Sequence, residues 1–192
     1  MTETTHPIRV LAIVGSPRKN GNTETLVDAV LAGAAEAGAR TEKVLLRPGK
    51  GGLEIRPCQA CDACQRTGAC AQKDDMNDLL VKMQASEVWV LGTPVYWWGP
   101  TAQFKAFLDR WYGSDRKAIF PGKRVILTIP FEDTYATAPR HTVGILTESL
   151  NYVGAEVVST ILAPGVHRRG EVSQRADLME SARNAGRAAI HN

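Results

Sequence analysis

The sequence lacks an apolar run long enough to cross a membrane, which needs about 18 uninterrupted apolar residues. Its most apolar segment, residues 88–98, is interrupted by Gly92 and Pro94. An excess of one charge is also missing: 23 Lys and Arg against 20 Asp and Glu give a net charge of +3, too small to indicate a nucleic acid or a membrane surface as partner. Residues 1–7 are short and polar and leave no room for the apolar core of a signal peptide, so we expect a cytoplasmic protein.

The composition, 44% hydrophobic and 22% charged, is that of a globular protein and excludes disorder and coiled coil. The 192 residues fit a single domain, 1–192. Apolar runs of strand type alternate with segments of helical period, and the second strand is followed by a loop insertion at about 48–74. The predicted strands are 8–14, 41–46, 87–91, 124–130 and 156–162, and the predicted helices are 22–37, 76–83, 104–111, 142–152 and 172–190. This order predicts a doubly wound, five-stranded parallel sheet in a three-layer α/β/α sandwich.

The loop after the first predicted strand, residues 15–23, combines glycines with many hydrogen-bond donors and precedes a helix. A helix N-terminus in this position attracts anions. The loop has neither the Lys-Ser/Thr pair of a P-loop nor the G-x-G-x-x-G of dinucleotide folds, which disfavours ATP and a Rossmann-bound NAD. A phosphomonoester fits better, although Asn22 or Thr23 could simply cap the helix. The candidate donors are Ser16, Arg18, Lys19, Asn20, Asn22 and Thr23.

The third predicted strand ends in the loop 92–100, which contains Tyr96, Trp97 and Trp98. Ligands of such sheets bind at the carboxyl ends of the strands, where the strand order reverses. We therefore expect this loop and the loop 15–23 to face one cavity. The alternative is that the three rings are core aromatics under a tight turn.

The loop 15–23 resembles the phosphate loop of flavodoxin-like flavoproteins, in particular the NADPH-dependent FMN reductase family. The matching residues are Gly15, Ser16, Pro17, Arg18, Gly21, Asn22 and Thr23. The resemblance implies a flavodoxin-like fold, FMN as cofactor, NADPH or NADH as electron donor, and chemistry carried by the flavin with no catalytic side chain. It places the FMN phosphate on the loop 15–23.

The loop 92–100 is also similar to that family, and by this resemblance Pro94, Val95, Tyr96 and Trp97 line the flavin. The helix that follows carries the family pattern Lys105, Phe107, Asp109 and Arg110, which we interpret as supporting helix packing or a subunit contact. One departure follows the fourth strand, where relatives often have a glycine-rich loop and this chain has Glu132 and Asp133. Acidic side chains that point inward would disfavour a reduced, anionic flavin.

All four cysteines of the sequence lie within 13 residues, in the pattern C-x2-C-x2-C-x5-C. They are Cys58, Cys61, Cys64 and Cys70. Thiolates so closely spaced can reach one [4Fe–4S] cubane. Zinc more often takes two C-x2-C pairs separated by a longer segment, and free buried thiols are a further alternative. The motif resembles that of iron–sulfur flavoproteins, a branch of the same superfamily that binds [4Fe–4S].

The sequence therefore predicts an FMN-dependent NAD(P)H oxidoreductase that passes electrons to a quinone, a free flavin, another small acceptor or the cluster. With a cluster, a ferredoxin becomes an alternative electron donor. The rival functions are an electron carrier of flavodoxin type, disfavoured by the positive net charge, and a zinc-stabilised interaction module. The family resemblance implies a homodimer or homotetramer, and the candidate interface aromatics are Tyr96, Trp97, Trp98 and Trp111.

Overall fold

A computed structural model describes residues 6–191, which form five strands and seven α-helices. The strands are β1 Arg9–Val14, β2 Arg40–Leu45, β3 Val88–Gly92, β4 Arg124–Pro130 and β5 Glu156–Ala163. The helices are α1 Asn22–Glu36, α2 Ala63–Thr67, α3 Met76–Gln84, α4 Ala102–Asp109, α5 Arg116–Ile119, α6 Arg140–Val153 and α7 Ala176–His191. Among these residues, no helix is both long and apolar enough to span a bilayer.

All strand pairs are parallel, and the strand order is β2-β1-β3-β4-β5. The order reverses between β1 and β3, as it does in flavodoxin-like sheets. The predicted flavodoxin-like α/β/α sandwich is therefore confirmed. The sequence missed two short helices, α2 in the cysteine-containing insertion and α5 before β4, because neither is long enough to show a helical period.

The central strands are buried on both faces, and their side chains alternate between two cores. On β1, Leu11 and Ile13 face the core that also contains residues of α3, α4 and α6. Val10, Ala12 and Val14 face the opposite core, which α1 and α7 cover. This alternation follows from the two-residue period of a strand and explains the continuous apolar run in the sequence.

Helices α1 and α7 approach each other through two glycines. A Cβ placed on Gly33 would lie 2.0 Å from the carbonyl oxygen of Arg183, and one on Gly186 would lie 2.0 Å from that of Val30. The predicted last helix, 172–190, begins later than expected. Residues Glu171–Gln174 form a 3₁₀ turn that packs on α1, and the α-helix starts at Ala176.

We expect Gly186→Ala to lower the free energy of unfolding by about 2 to 3 kcal/mol, because the new methyl group forces α7 away from α1. Gly144→Ala in α6 is the matched control, since nothing lies within 4 Å of its added Cβ. Removing the backbone freedom of a helical glycine should there stabilise by roughly 0.5 to 1 kcal/mol. Urea denaturation measures both, and equal stability of the two variants would contradict the close crossing.

Candidate functional site

A cleft opens at the carboxyl edge of the sheet, between the loops that follow β1, β3, β4 and β5. It encloses about 460 Å³, part of which is open to solvent. The residues lining it are Ser16, Arg18, Asn22, Thr23, Pro94, Val95, Tyr96, Pro130, Phe131, Glu132, Val166 and His167. The structure thus brings the two predicted loops to one cavity, together with the loop after β4, which the sequence analysis noted as a departure, and the loop after β5, which no motif indicated. Three residues named from the sequence, Lys19, Asn20 and Trp97, do not line it.

The loop after β1, residues 15–21, is anchored to the loop after β3. The N–H of Gly15 donates to the carbonyl of Gly92 at 2.7 Å, and the Thr101 hydroxyl donates to the carbonyl of Gly15 at 2.5 Å. Gly15 packs so tightly that an added Cβ would lie 2.5 Å from the Phe104 ring. Only glycine fits where these two loops touch. The contact therefore fixes the position of the loop after β1 relative to the loop 92–100, which carries the three aromatic rings and is called the aromatic loop below.

The N-terminus of α1 presents free donors at the cleft. The N-cap residue Gly21 has no side chain to cap the helix. Within residues 6–191, the backbone N–H groups of Asn22, Thr23 and Glu24 have no hydrogen-bond acceptor. These N–H groups and the positive end of the helix dipole form a place for an anion, beside the buried Ser16 hydroxyl.

Asn22 and Arg18 also build the wall of the cleft. The Asn22 amide donates to the carbonyl of Arg168 at 2.9 Å and accepts the N–H of Val172 at 3.1 Å. One guanidinium N–H of Arg18 donates to the carbonyl of His167 at 2.8 Å. The side chain of Asn22 thus uses its oxygen and one of its two N–H groups on the loop after β5, and Arg18 also retains further N–H groups for a ligand.

Glu24 does not line the cleft but holds the loop after β1 in place, and sequence reasoning missed it. Its buried carboxylate accepts the N–H of Asn20 at 2.8 Å and pairs with Lys43 at 3.1 Å and Arg47 at 3.4 Å. Burial acts to raise the pKa of Glu24, but the hydrogen bond from Asn20 and the two cations outweigh it and hold the pKa below its usual value. Asn20, with φ 52°, is thereby held in the left-handed region. A Glu at the third position of a helix, as in a capping box, was the available signal.

The aromatic loop forms a tight turn with two tryptophans at its tip. Tyr96 and Gly99 exchange hydrogen bonds of 2.9 and 3.1 Å across it. Trp97 and Trp98 both have positive φ, 49° and 59°, a conformation that costs a bulky residue about 1 to 3 kcal/mol. The alternative of core aromatics is wrong for these rings, since Trp97 is 91% exposed and Trp98 47%.

Trp111 was expected at a subunit interface, and this expectation is wrong. The Trp111 ring is 4% exposed and packs between Phe107 and Phe120, with ring centroids 5.5 and 4.9 Å away. It belongs to the core on the α3–α4 face of the sheet. Trp111 lies in the 3₁₀ turn Arg110–Gly113 that follows α4.

Of the two acidic residues after β4, Glu132 lines the cleft and Asp133 does not. The Glu132 carboxylate lies 2.9 Å from Nδ1 of His167, and both side chains are exposed. The pair joins the loops after β4 and β5 at the mouth of the cleft.

A second cavity lies in the cysteine-containing insertion and shares no lining residue with the cleft. All four cysteines line it, together with Arg110, Tyr112 and Gly113. The thiols are free, and no three Cys, His, Asp or Glu side chains of residues 6–191 converge on a point that would hold a single metal ion. A cubane takes one thiolate at each of its four corners, and the cavity is lined by four cysteines.

The fold and the cleft define a flavodoxin-like protein whose cleft lies at the switch point of the sheet, beside the N-terminus of α1. A family model described as NADPH-dependent FMN reductase matches residues 8–161, and the chain belongs to that family. An iron–sulfur flavoprotein of Methanocaldococcus jannaschii is 40% identical over 103 residues, which are 54% of this chain and 51% of that relative. The family and branch indicated by the motifs are thus confirmed.

Two further comparisons concern quinone reductases. An FMN-dependent NADH:quinone oxidoreductase of Gluconacetobacter diazotrophicus is 32% identical over 126 residues, 58% of this chain and 61% of that relative. The structure of an NAD(P)H:quinone oxidoreductase from Methanothermobacter marburgensis superimposes with a TM-score of 0.74 at 18% identity, covering 97% of this chain and 98% of that one. At that identity it supports the fold alone. The chain spans about half the length of the iron–sulfur flavoproteins it matches.

Glu24→Gln keeps the shape of the side chain and removes its charge. Because the folded-state pKa lies below the unfolded value of 4.5, the carboxylate stabilises the fold above pH 4.5, and this contribution disappears as the pH falls through the folded-state pKa. We expect a loss of about 1 kcal/mol at neutral pH that vanishes in acid. Urea denaturation across this pH range measures it, with Glu148→Gln on the exposed side of α6 as control. A loss independent of pH would contradict the assignment.

Proposed function

We propose that the protein is an FMN-dependent NAD(P)H oxidoreductase and that the cleft at the carboxyl edge of the sheet holds the flavin. The observation that carries this proposal is one cavity in which an anion-binding helix end faces an exposed aromatic turn. FMN has the matching chemistry, with a terminal phosphomonoester at one end and a planar ring system at the other. Membership of the NADPH-dependent FMN reductase family supports the same assignment.

The phosphate end would be held by the loop after β1. The N–H groups of Asn22 and Thr23, the hydroxyl of Ser16 and the guanidinium of Arg18 are its candidate donors. Asn20 acts indirectly, because its backbone conformation and its bond to Glu24 shape the loop. Lys19 is exposed and does not line the cleft, so we assign it no part in binding.

The ring end would lie along Pro94, Val95 and Tyr96. Trp97, the next residue of the turn, is exposed and does not line the cleft. When bound, FMN supplies hydride acceptance from a nicotinamide and onward transfer of electrons. The protein's task is then to orient the flavin, keep one ring face accessible and exclude water from the other. The strained turn at Trp97 and Trp98 presents its backbone and rings toward solvent, where a second substrate can approach.

The acceptor that fits best is a small, planar oxidant such as a quinone or a free flavin. The relative named as an FMN-dependent NADH:quinone oxidoreductase supports this class. The exposed aromatics Tyr96, Trp97 and Trp98 also favour a homodimer or homotetramer in which a neighbouring subunit shields the flavin. The free thiols suit a reducing compartment, in line with the cytoplasmic location expected from the sequence.

Arg18→Ala should weaken FMN binding by about 10- to 100-fold, the range expected for a lost charge-assisted hydrogen bond. Lys19→Ala removes the same charge next to it, outside the cleft, and should change the affinity less than threefold. Flavin fluorescence measures binding, and anaerobic mixing with NADPH and then a quinone measures turnover. Saturating FMN should restore turnover in Arg18→Ala, because this residue holds the phosphate end and not the reacting ring. Equal effects of the two variants would contradict the phosphate assignment.

We propose further that the cysteine cavity holds a [4Fe–4S] cluster ligated by Cys58, Cys61, Cys64 and Cys70. The observation that favours it is that all four thiols line one cavity. The Ala60 N–H lies 3.5 Å from the Cys58 sulfur, a contact of the kind that stabilises cluster ligands. Such a cluster would add one-electron transfer, and a ferredoxin is then an alternative donor.

Cys64→Ser should remove most of the iron and sulfide from anaerobically reconstituted protein and leave the FMN content unchanged. The reason is that the cluster and the flavin would occupy separate cavities. Asp62→Ala is the control, because Asp62 lines the cysteine cavity and is its one carboxylate within the part of the chain described. Iron retained in Cys64→Ser, or lost in Asp62→Ala, would contradict ligation by four thiolates.

A further inference from the structure

The segment that carries the cysteines, residues 57–73, is closed at its base by Arg110. One terminal nitrogen of the guanidinium donates to the carbonyl of Arg56 at 2.9 Å, and the other donates to the Asp74 carboxylate at 3.0 Å. Arg56 directly precedes this segment, which we call the cysteine loop, and Asp74 directly follows it. A single side chain from the end of α4 therefore binds both ends of the loop that carries the four thiols.

Asp74 completes this closure from the other side. Its carboxylate accepts the N–H of Arg56 at 2.9 Å and that of Met76 at 3.2 Å, in addition to the guanidinium. The Asp74 side chain is 4% exposed, and that of Arg110 is 1% exposed. Burial acts to raise the pKa of Asp74, but these hydrogen bonds and the Arg110 cation hold it below its usual value. The ion pair is thus formed in the folded protein at neutral pH.

The guanidinium also faces the thiols. Arg110 lines the cysteine cavity and lies against Cys70, and its Nε is buried with no acceptor among residues 6–191. No other Lys or Arg in that part of the chain is buried. Buried donors are nearly always satisfied, so a buried N–H without an acceptor at a cavity lined by four cysteines indicates that a hydrogen-bond acceptor belongs there.

From the sequence, the pattern Lys105, Phe107, Asp109 and Arg110 was interpreted as supporting helix packing or a subunit contact. Burial excludes the subunit contact for Arg110 and Phe107, whereas Lys105 and Asp109 form an exposed ion pair on the same helix. Helix packing alone does not explain Arg110, because its hydrogen bonds all go to the flanks of the cysteine loop and none to another helix.

We propose that Arg110 is the positioning residue of the redox centre in the cysteine loop: it holds the loop closed and provides the buried positive charge next to the thiolate-bound cluster. This inference rests on the proposed [4Fe–4S] cluster. Four thiolates give such a centre a net negative charge, and a one-electron reduction adds another. Arg110 is the member of the buried Arg110–Asp74 pair that lines the cavity. The positive end of the pair therefore favours the more negative state and raises the reduction potential, by less than an unpaired cation would.

Three variants separate the two roles. Arg110→Gln removes the charge and the hydrogen bonds to both ends of the cysteine loop. Arg110→Lys keeps the charge, but its single ammonium group cannot donate to Arg56 and Asp74 with the geometry of the guanidinium. Arg66→Gln is the matched control, since Arg66 is an exposed cation within the cysteine loop. The holoprotein of each variant is reconstituted anaerobically. Iron, sulfide and FMN contents, the reduction potential from a spectroscopic titration, and amide hydrogen exchange of the cluster-free protein are then measured.

We expect Arg110→Gln to retain less than half of the wild-type iron, with FMN content unchanged. The cluster that remains should have a more negative potential than in the wild type and in Arg66→Gln. Arg110→Lys should lose iron with a smaller change of potential. In both Arg110 variants, hydrogen exchange should accelerate at least tenfold in residues 57–73 and remain unchanged in β1 and β3. If Arg110→Gln does not fold, Arg110→Lys carries the test through iron content and exchange.

The proposal is overturned if iron content, potential and loop exchange in Arg110→Gln equal those of the wild type, or if Arg66→Gln shifts the potential as much. It is also overturned if exchange accelerates throughout the protein, which would assign Arg110 to global stability. If wild-type protein takes up no iron, the cluster proposal fails, and the exchange measurement alone decides whether Arg110 closes the loop.

Discussion

The site depends on the contact between the ends of the two central strands. Gly15 and Gly92 are joined by a backbone hydrogen bond, and the Thr101 hydroxyl closes the contact by donating to the Gly15 carbonyl. Parallel strands place their carboxyl ends at one edge, and the reversal of strand order makes the loops diverge there. Because Gly15 has no side chain, the loops after β1 and β3 remain in contact at Gly15, Gly92 and Thr101. This contact gives the loop after β1 and the aromatic turn a fixed separation.

Helix α4 connects this cleft to the cysteine cavity. Thr101, which holds Gly15, caps the N-terminus of α4, and Arg110, which holds the cysteine loop, follows its last residue. At the rise of an α-helix the two residues are about 14 Å apart. Phe104 and Phe107, between them, pack edge to face in the core. One short helix therefore carries a residue that supports each site, and it would keep the proposed flavin and the proposed cluster at a constant separation.

The sequence predicted the features that depend on local patterns. The strands appeared as apolar runs, and the loop 15–23 appeared through its glycines and donors. Contacts over long sequence distances were not predictable: the Asn22 amide, expected on a phosphate, is used by a carbonyl 146 residues away. The Trp111 ring was misplaced because its neighbour Phe120 belongs to the segment after a helix of four residues. Arg110 was read as a packing residue because its partner Asp74 lies 36 residues earlier.

The most direct test of the account compares FMN with riboflavin, which has the same ring system and no phosphate. The apoprotein is titrated with each, and flavin fluorescence reports binding. Because the cleft joins an anion site to an aromatic turn, we predict that FMN binds at least 100-fold more tightly, about 3 kcal/mol. Raising the salt concentration should narrow this difference, since it weakens the attraction of the phosphate to Arg18. Equal affinities for the two flavins would contradict the assignment of the cleft to FMN.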